Sequence, residues 1–350
     1  MIYFRIFLYF NTLLHDVAVL DVSTHEYSLG MLPSSLYTSR TLVELKLYGR
    51  FDMKFPEPVQ LPYLKSMQLF NVEFSDPYSL NRLMAGCPLL EDLVVGGYWE
   101  DVEDISISSA RLTSLTMDFS DSFGSLHHRS SVVLDLPNLV HFKYFDRLAR
   151  SYSLMNLNSL EEARIEVLLD MDNPVWSASC SAVLGLLYGV SNAKHLFICG
   201  KCLEGLDTDE YTLPTFCNLR RLEFGWSKYL IWRHVLCQFL DSAPMLEDLN
   251  FSEGLFHRKS DSDEYSDKNF WARQRKTPDC LSSHVKTIMI DSFHGFGEEV
   301  KIARYLLRHG KVLEKLILDY DIQSSEDERE LKKLLKAKRA SKECIIELLF

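Results

Sequence analysis

The stretch GCPLLEDLVV, residues 86–95, has two near-repeats in this chain, SAPMLEDLNF at 242–251 and HGKVLEKLIL at 309–318. In it Leu90, Leu93 and Val95 hold the first, fourth and sixth places of a short apolar frame. The frame recurs at Leu42/Leu45/Leu47, Leu64/Met67/Leu69, Leu112/Leu115/Met117, Leu139/Phe142/Tyr144 and Leu160/Ala163/Ile165. It continues at Ala193/Leu196/Ile198, Leu219/Leu222/Phe224, Leu246/Leu249/Phe251, Val285/Ile288/Ile290 and Leu313/Leu316/Leu318, which makes eleven units; Val17/Leu20/Val22 adds a twelfth.

From Leu42 onward the first places fall 22, 26, 22, 27, 21, 33, 26, 27, 39 and 28 residues apart. Most of these lie near the roughly 20–29 residues of a leucine-rich repeat, where each unit supplies one short strand and a return segment. The spacings of 33 and 39 predict insertions in the return path.

A strand has period two, so the third place must face away from the fourth and sixth. The third places are Glu44, Ser66, Asp92, Ser114, His141, Glu162, His195, Arg221, Asp248, Thr287 and Lys315, all polar. Chance clustering of apolar residues does not sort two faces in this way. The third, fifth and seventh places are therefore expected to form the exposed lane of a curved parallel sheet, with helices and irregular segments on the outer side: an α/β leucine-rich-repeat solenoid.

SLNRLMAGCP from Ser79, VLCQFLDSAP at 235–244 and VKIARYLLRHG at 300–310 carry apolar residues at helical spacing and end in a turn, each just before a strand. Pro-bearing connections such as PEPVQLPYL and VVLDLPNL are expected to be extended. The ninth places Arg50, Val72, Tyr98 and Ser120 carry none of the Asn or Cys that repeat turns often use, so these turns must be satisfied in another way. Residues 257–277 are polar and read as a solvated linker. After them VKTIMID, a helix from Glu298 to His309, LEKLILDY, a helix from Ser325 to about Ala340 and CIIELLF give a βαβαβ order extending the same sheet. The expected organisation is a repeat region over 1–256, a linker over 257–277 and a C-terminal unit over 278–350.

The formal charge of −11 over 350 residues argues against nucleic acid as the partner, since that relies on clustered Lys and Arg. No apolar run is long enough for a membrane span, and MIYFRIFLYF at the start reads as packed structure rather than a signal peptide. Eight scattered cysteines, several inside apolar runs, fit buried thiols in a reducing intracellular setting, cytoplasm or nucleus. An extracellular repeat protein would instead pair them as disulfides.

Residues 32–47 (LPSSLYTSRTLVELKL), 61–74 (LPYLKSMQLFNVEF) and 83–95 (LMAGCPLLEDLVV) resemble the repeat region of plant F-box/leucine-rich-repeat proteins. Trp271, TPDCLSSHVKTIMIDSFHG (277–295), YLLRHGKVLEKLIL (305–318) and RASKECIIELLF (339–350) resemble the FBD domain that often ends them. The resemblance implies a protein-binding module of the kind that selects substrates for a cullin-type ubiquitin ligase. In that family an F-box docks the ligase adaptor. No F-box-like helix is seen in these residues, so the expected partner is an unidentified protein substrate and not the adaptor. A free-standing interaction module unrelated to ubiquitination is the alternative within the same fold.

No enzyme motif is present: no phosphate-cradling glycine loop, no G-x-S-x-G and no H-E-x-x-H. No catalytic residue, cofactor or metal is expected. Cys199-Gly-Lys-Cys202 with His195 and Cys217 offers a zinc- or thiol-dependent alternative, although the second close pair usual in zinc sites is missing. His127-His128 and the acidic groups Glu100-Asp101/Glu103-Asp104 and Asp207/Asp209-Glu210 read as solvated loops. The candidate binding lane is Glu44, Tyr48, Phe70, Asp92, His141, Phe145, Glu162, His195, Phe197, Arg221 and Asp248, with its outward aromatics as anchors for a protein partner.

Overall fold

The computed structural model describes residues 17–24, 29–54, 58–74, 78–97, 99, 104–120, 130–168, 176–204, 206, 211–225, 232–255, 270–274, 276–295, 297–320 and 325–349. The N-terminal apolar stretch, His127-His128, Glu100-Asp101 with Glu103, Asp207 with Asp209-Glu210, and most of the polar run 257–277 lie outside them. The chain divides into two compact units, Met1–Leu160 with Val167–Gly189, and Glu161–Glu166 with Val190–Phe350.

The first unit contains β1 (Val19–Ser23), β2 (Gly30–Met31), β3 (Glu44–Tyr48), β4 (Phe51–Asp52), β5 (Ser66–Phe70), β6 (Asp92–Gly96), β7 (Asp104–Ser108), β8 (Ser114–Asp118), β9 (Ser131–Asp135), β10 (His141–Arg147) and β11 (Ser151–Met155), with helices α1 (Ser79–Ala85) and α2 (Trp176–Gly189). Strands β1, β3, β5, β6, β8 and β10 pair in that order, all parallel. Their register follows the frame place for place: Glu44 lies beside Ser66, Ser66 beside Asp92, Asp92 beside Ser114, and Ser114 beside His141. The twelfth unit is real, since Val19–Ser23 pairs with Glu44–Tyr48. A second parallel sheet, β7-β9-β11, is built from the return segments. Helix α2 follows in the long insertion; its Gly185 and Gly189 lie against Tyr152 and Leu154 of β11.

The second unit contains β12 (Glu162–Leu168, of which Glu162–Glu166 belong here), β13 (His195–Ile198), α3 (Gly200–Glu204), β14 (Arg221–Phe224), α4 (Trp232–Ser242), β15 (Asp248–Phe251), α5 (Phe270–Arg273), α6 (Asp279–Ser283), β16 (Thr287–Phe293), α7 (Gly297–His309), β17 (Lys315–Tyr320), α8 (Ser325–Leu335) and β18 (Ile345–Leu349). Strands β12 through β18 are parallel neighbours in chain order. The helices predicted before the repeated stretches are α1, α4 and α7, and the C-terminal βαβαβ order is present as expected.

The faces sort as the period demands. Every fourth- and sixth-place residue of the eleven units is at most 1 % exposed. Burying a leucine-sized side chain stabilises by about 1.5–3 kcal/mol, so the eleven frames supply most of the drive for stacking. Helix α4 closes its part of the core with Phe239, which stacks on Phe216 at 5.9 Å and meets Phe224 edge-on at 5.4 Å.

The repeated sentence is a hydrogen-bond device. The amide of the first-place residue bonds three residues back, Leu90 to the Cys87 carbonyl and Leu246 to the Ala243 carbonyl, which closes the turn. The second-place carbonyl then accepts both the second- and third-place amides of the next unit. Val43 receives Lys65 and Ser66, Lys65 receives Glu91 and Asp92, and Glu91 receives Thr113 and Ser114. Glu161, Lys194, Arg220, Glu247 and Lys286 repeat this in the second unit. Strands are left at the eighth place in three units by a left-handed residue, Gly49 (φ 112°), Asn71 (φ 57°) and Gly97 (φ 78°); at the same place in a fourth, Ser292 (φ 47°) marks the register shift within β16. This is how the turns are made without a ninth-place Asn ladder.

Candidate functional site

In the first unit the lane is polar and pre-organised. Glu44 and Lys46 pair at 2.7 Å, and that bond raises the proton affinity of Lys46. Ser66 donates to Asp92 at 3.0 Å. Tyr48 stacks on Phe70 with ring centres 5.6 Å apart, and its hydroxyl donates to Gln68 at 2.6 Å. Both rings are half-buried, as is Phe145, while His141 is exposed. The Phe70 ring occupies the space a side chain would need at Gly96, where an added Cβ would stand 2.7 Å from it and 2.1 Å from the Asp118 carbonyl oxygen. Glycine at this seventh place is what lets the aromatic lie down.

In the second unit Glu162, His195, Arg221 and Asp248 stand side by side in register. His195, Arg221 and Asp248 are exposed and Glu162 is half-buried. Phe197 departs from the expectation. It lies on the outward face but is only 7 % exposed, because the Arg164 guanidinium covers its ring at 3.6 Å and Gly225 sits beneath its edge. Arg164 is held in turn by Glu166 at 2.6 Å. Arg164 is therefore the group that this point of the face presents. It holds a fifth place, and a reading of that row would have found it together with Lys46, Gln68 and Lys143. Asp291, Asp319 and Glu223 form an acidic patch; burial first, then the two neighbouring carboxylates, hold Asp291 above the usual carboxylate range.

At the strand starts run exposed ion pairs, Lys65–Glu91 at 3.7 Å, Glu161–Lys194 at 2.5 Å and Arg220–Glu247 at 2.6 Å. Such exposed pairs contribute at most about 1 kcal/mol each, so they tune the surface more than they hold the fold.

The four possible zinc ligands are not brought together as a set. Cys199 and Cys202 touch, with sulfurs 3.2 Å apart. His195 stands at the other end of the strand, some four residues or about 13 Å away along an extended chain. Cys217 is exposed ahead of β14. Among the described residues no group of three or more His, Cys, Asp or Glu could hold a metal ion. Also among them, no helix is long and apolar enough to cross a membrane.

With this geometry in hand, the chain can be set beside known proteins. It is 31% identical to the F-box/FBD/LRR-repeat protein At3g59240 of Arabidopsis thaliana over 97% of its own length and 69% of the relative's. The chain belongs to the F-box/FBD/LRR-repeat protein family. A second relative, the F-box/LRR-repeat protein At4g14096 of the same plant, is 30% identical over 97% of this chain and 73% of the relative. The family model for the LRR repeats of the FBD-associated F-box protein At5g56370 matches residues 11–158, and the FBD model matches 273–318. In this F-box/FBD/LRR-repeat chain the FBD match thus begins in α5 and ends in β17. Trp271, just ahead of it, packs on Tyr305 of α7 with ring centres 4.9 Å apart.

Proposed function

We propose that this chain is a non-catalytic protein-binding module that selects an intracellular protein substrate, in cytoplasm or nucleus, for ubiquitination by a cullin-type ligase. The observation that carries the binding role is the sorting of faces. The inward places of the eleven frames are sealed, and the other face keeps half-buried aromatics, carboxylates and bases in the first unit and carboxylates and bases in the second. Rigid strands fix these side chains relative to one another, so binding costs little ordering and specificity comes from their pattern. In this reading residues 1–256 supply the repeats, 257–277 connect, and 278–350 form the FBD unit. The ligase setting rests on the names of the relatives and is separable from the binding role.

The experiment compares whole-chain wild type with two lane variants, Asp92→Lys/His141→Asp and Arg221→Glu/Asp248→Lys, in proximity labelling from plant cells with the proteasome blocked. Proteins labelled by wild type, lost with either variant and accumulating only under the block are the expected substrates. Labelling unchanged in both folded variants would overturn the binding role of the lane. Lane-dependent partners whose abundance ignores the proteasome block would leave a free-standing interaction module.

A further inference from the structure

The Cys199-Gly-Lys-Cys202 pair is unused by the binding reading, and its geometry is specific. All eight cysteines are thiols. Cys199 Sγ and Cys202 Sγ lie in contact at 3.2 Å. The Cys202 amide bonds the Cys199 carbonyl at 3.1 Å, a turn that brings the two Cα atoms within about 7 Å, near the span a disulfide bridges. Cys199 is half-exposed and Cys202 is 0 % exposed, packed beside the equally buried Leu203. One residue of the pair is therefore reachable from solvent, and the other is enclosed beside it. The buried Cys87 and Cys280 and the half-buried Cys237 differ. Burial pushes Cys87 and Cys280 up to about 12 and Cys237 up to about 11, and Cys87 and Cys280 point at carbonyls of their own core, Leu83 and Leu240.

We propose that Cys199 and Cys202 are a redox-active dithiol that forms a reversible intramolecular disulfide by exchange with a small-molecule disulfide of the glutathione class. The Cys199 thiolate attacks one sulfur of the oxidised reagent. Its S–S bond breaks, a mixed disulfide forms at Cys199, and one glutathione thiolate leaves and takes up a proton. Cys202 then loses its proton to solvent and attacks Cys199 Sγ, which expels the second glutathione. The pair is oxidised by two electrons and the reagent is reduced to two thiols. The buried position of Cys202 suits this order, since the resolving sulfur needs only to reach its neighbour. Cys199 holds the seventh place of its unit, and its Cα lies 3.2 Å from where a Cβ on Gly225 would stand. The bond thus forms at the rim of the polar face, just past the end of β13 at Ile198.

The test uses the whole reduced chain, exposed to glutathione disulfide, then unfolded in guanidinium chloride with N-ethylmaleimide present, so that the buried Cys202 is reachable, and mapped by peptide mass spectrometry. The expected result is loss of label at Cys199 and Cys202 together, with no glutathione retained there, and full recovery after dithiothreitol. Cys202→Ala is expected to trap a lasting glutathione adduct on Cys199, and Cys199→Ser to leave Cys202 unreacted. Full labelling of both sulfurs after exposure, a stable adduct on wild-type Cys199, or a bond from Cys199 to any other cysteine would overturn the proposal. The wild-type map decides the matter alone if a variant fails to fold.

Discussion

The two units use the same strand and return from it differently. In the first, most return segments are extended and three of them pair into the β7-β9-β11 sheet; in the second, the returns after β14, β16 and β17 are the helices α4, α7 and α8. Unit length tracks this choice in most units; the return from Leu112 is the exception, 27 residues long with the strand β9 in it. The spacings from Leu42, Leu90 and Leu139 are 22, 22 and 21 residues, and among the described residues none of those returns contains an α-helix. The spacings from Leu64, Leu219 and Val285 are 26, 27 and 28, and each contains a helix of seven residues or more. A helix advances about 1.5 Å per residue and a strand about 3.3 Å, so covering similar ground as a helix takes more chain. The lesson is that the inward face fixes the stacking, while the number of residues left over sets what the back is made of.

The strongest way to break this comparison is to attack what the units share. Leu93→Asp in the first and Leu249→Asp in the second each bury an unpaired charge where the wild-type residue is at most 1 % exposed. Each is expected to cost more than about 4 kcal/mol and to abolish cooperative melting followed by circular dichroism. Next comes the helical return. Phe239→Ala removes the ring between Phe216 and Phe224 and should cost about 3–5 kcal/mol in urea unfolding. Ile107→Ala in the extended return should cost about 2–5 kcal/mol, toward the low end because its strand lies in the smaller, three-stranded sheet.

Gly96→Ala against Gly185→Ala sharpens the contrast at smaller scale. The first drives a methyl to 2.1 Å from a neighbouring carbonyl oxygen and should cost about 1–3 kcal/mol; the second meets nothing nearer than 3.4 Å and lies within a helix, where alanine is favoured. A pH scan probes the second unit. His309 is held below its ordinary value of 6.5 by burial, then by Arg308 and Lys311, while its Nδ1 lies 2.7 Å from the Thr277 hydroxyl. The folded state therefore prefers the neutral ring. Stability is fully present above 6.5 and is lost as pH falls from there through the lowered folded value, and His309→Gln should flatten that slope in thermal melts. The smallest effect is expected for Ser114→Asp on the lane, within about 0.5 kcal/mol.

The strands and their faces were legible because period two is a local property: Glu44-Leu45-Lys46-Leu47 states its own orientation. The eleven frames and the C-terminal βαβαβ order follow from it. The β7-β9-β11 sheet was not, although DISIS at 104–108 alternates well, because nothing local says which other return segment it will pair with. Helix α2 was hidden by Gly185 and Gly189, which lower helix propensity and are there for contact with β11. On the lane, positions were legible and exposure was not. Phe197 faces outward as its place demands, but its burial depends on Arg164 of β12 and on Gly225, just past β14, on either side of it.

The carbonyl that accepts two amides at each strand start has a consequence for inheritance. The seam between neighbours is main chain, with Lys65, Glu91, Arg220 and Glu247 serving it equally whatever their side chains. A recombination that removes or duplicates one whole repeat rejoins two edges that already match. Such a gene can change its reach by single modules and redraw the outward residues of each one independently, while the seam itself stays constant.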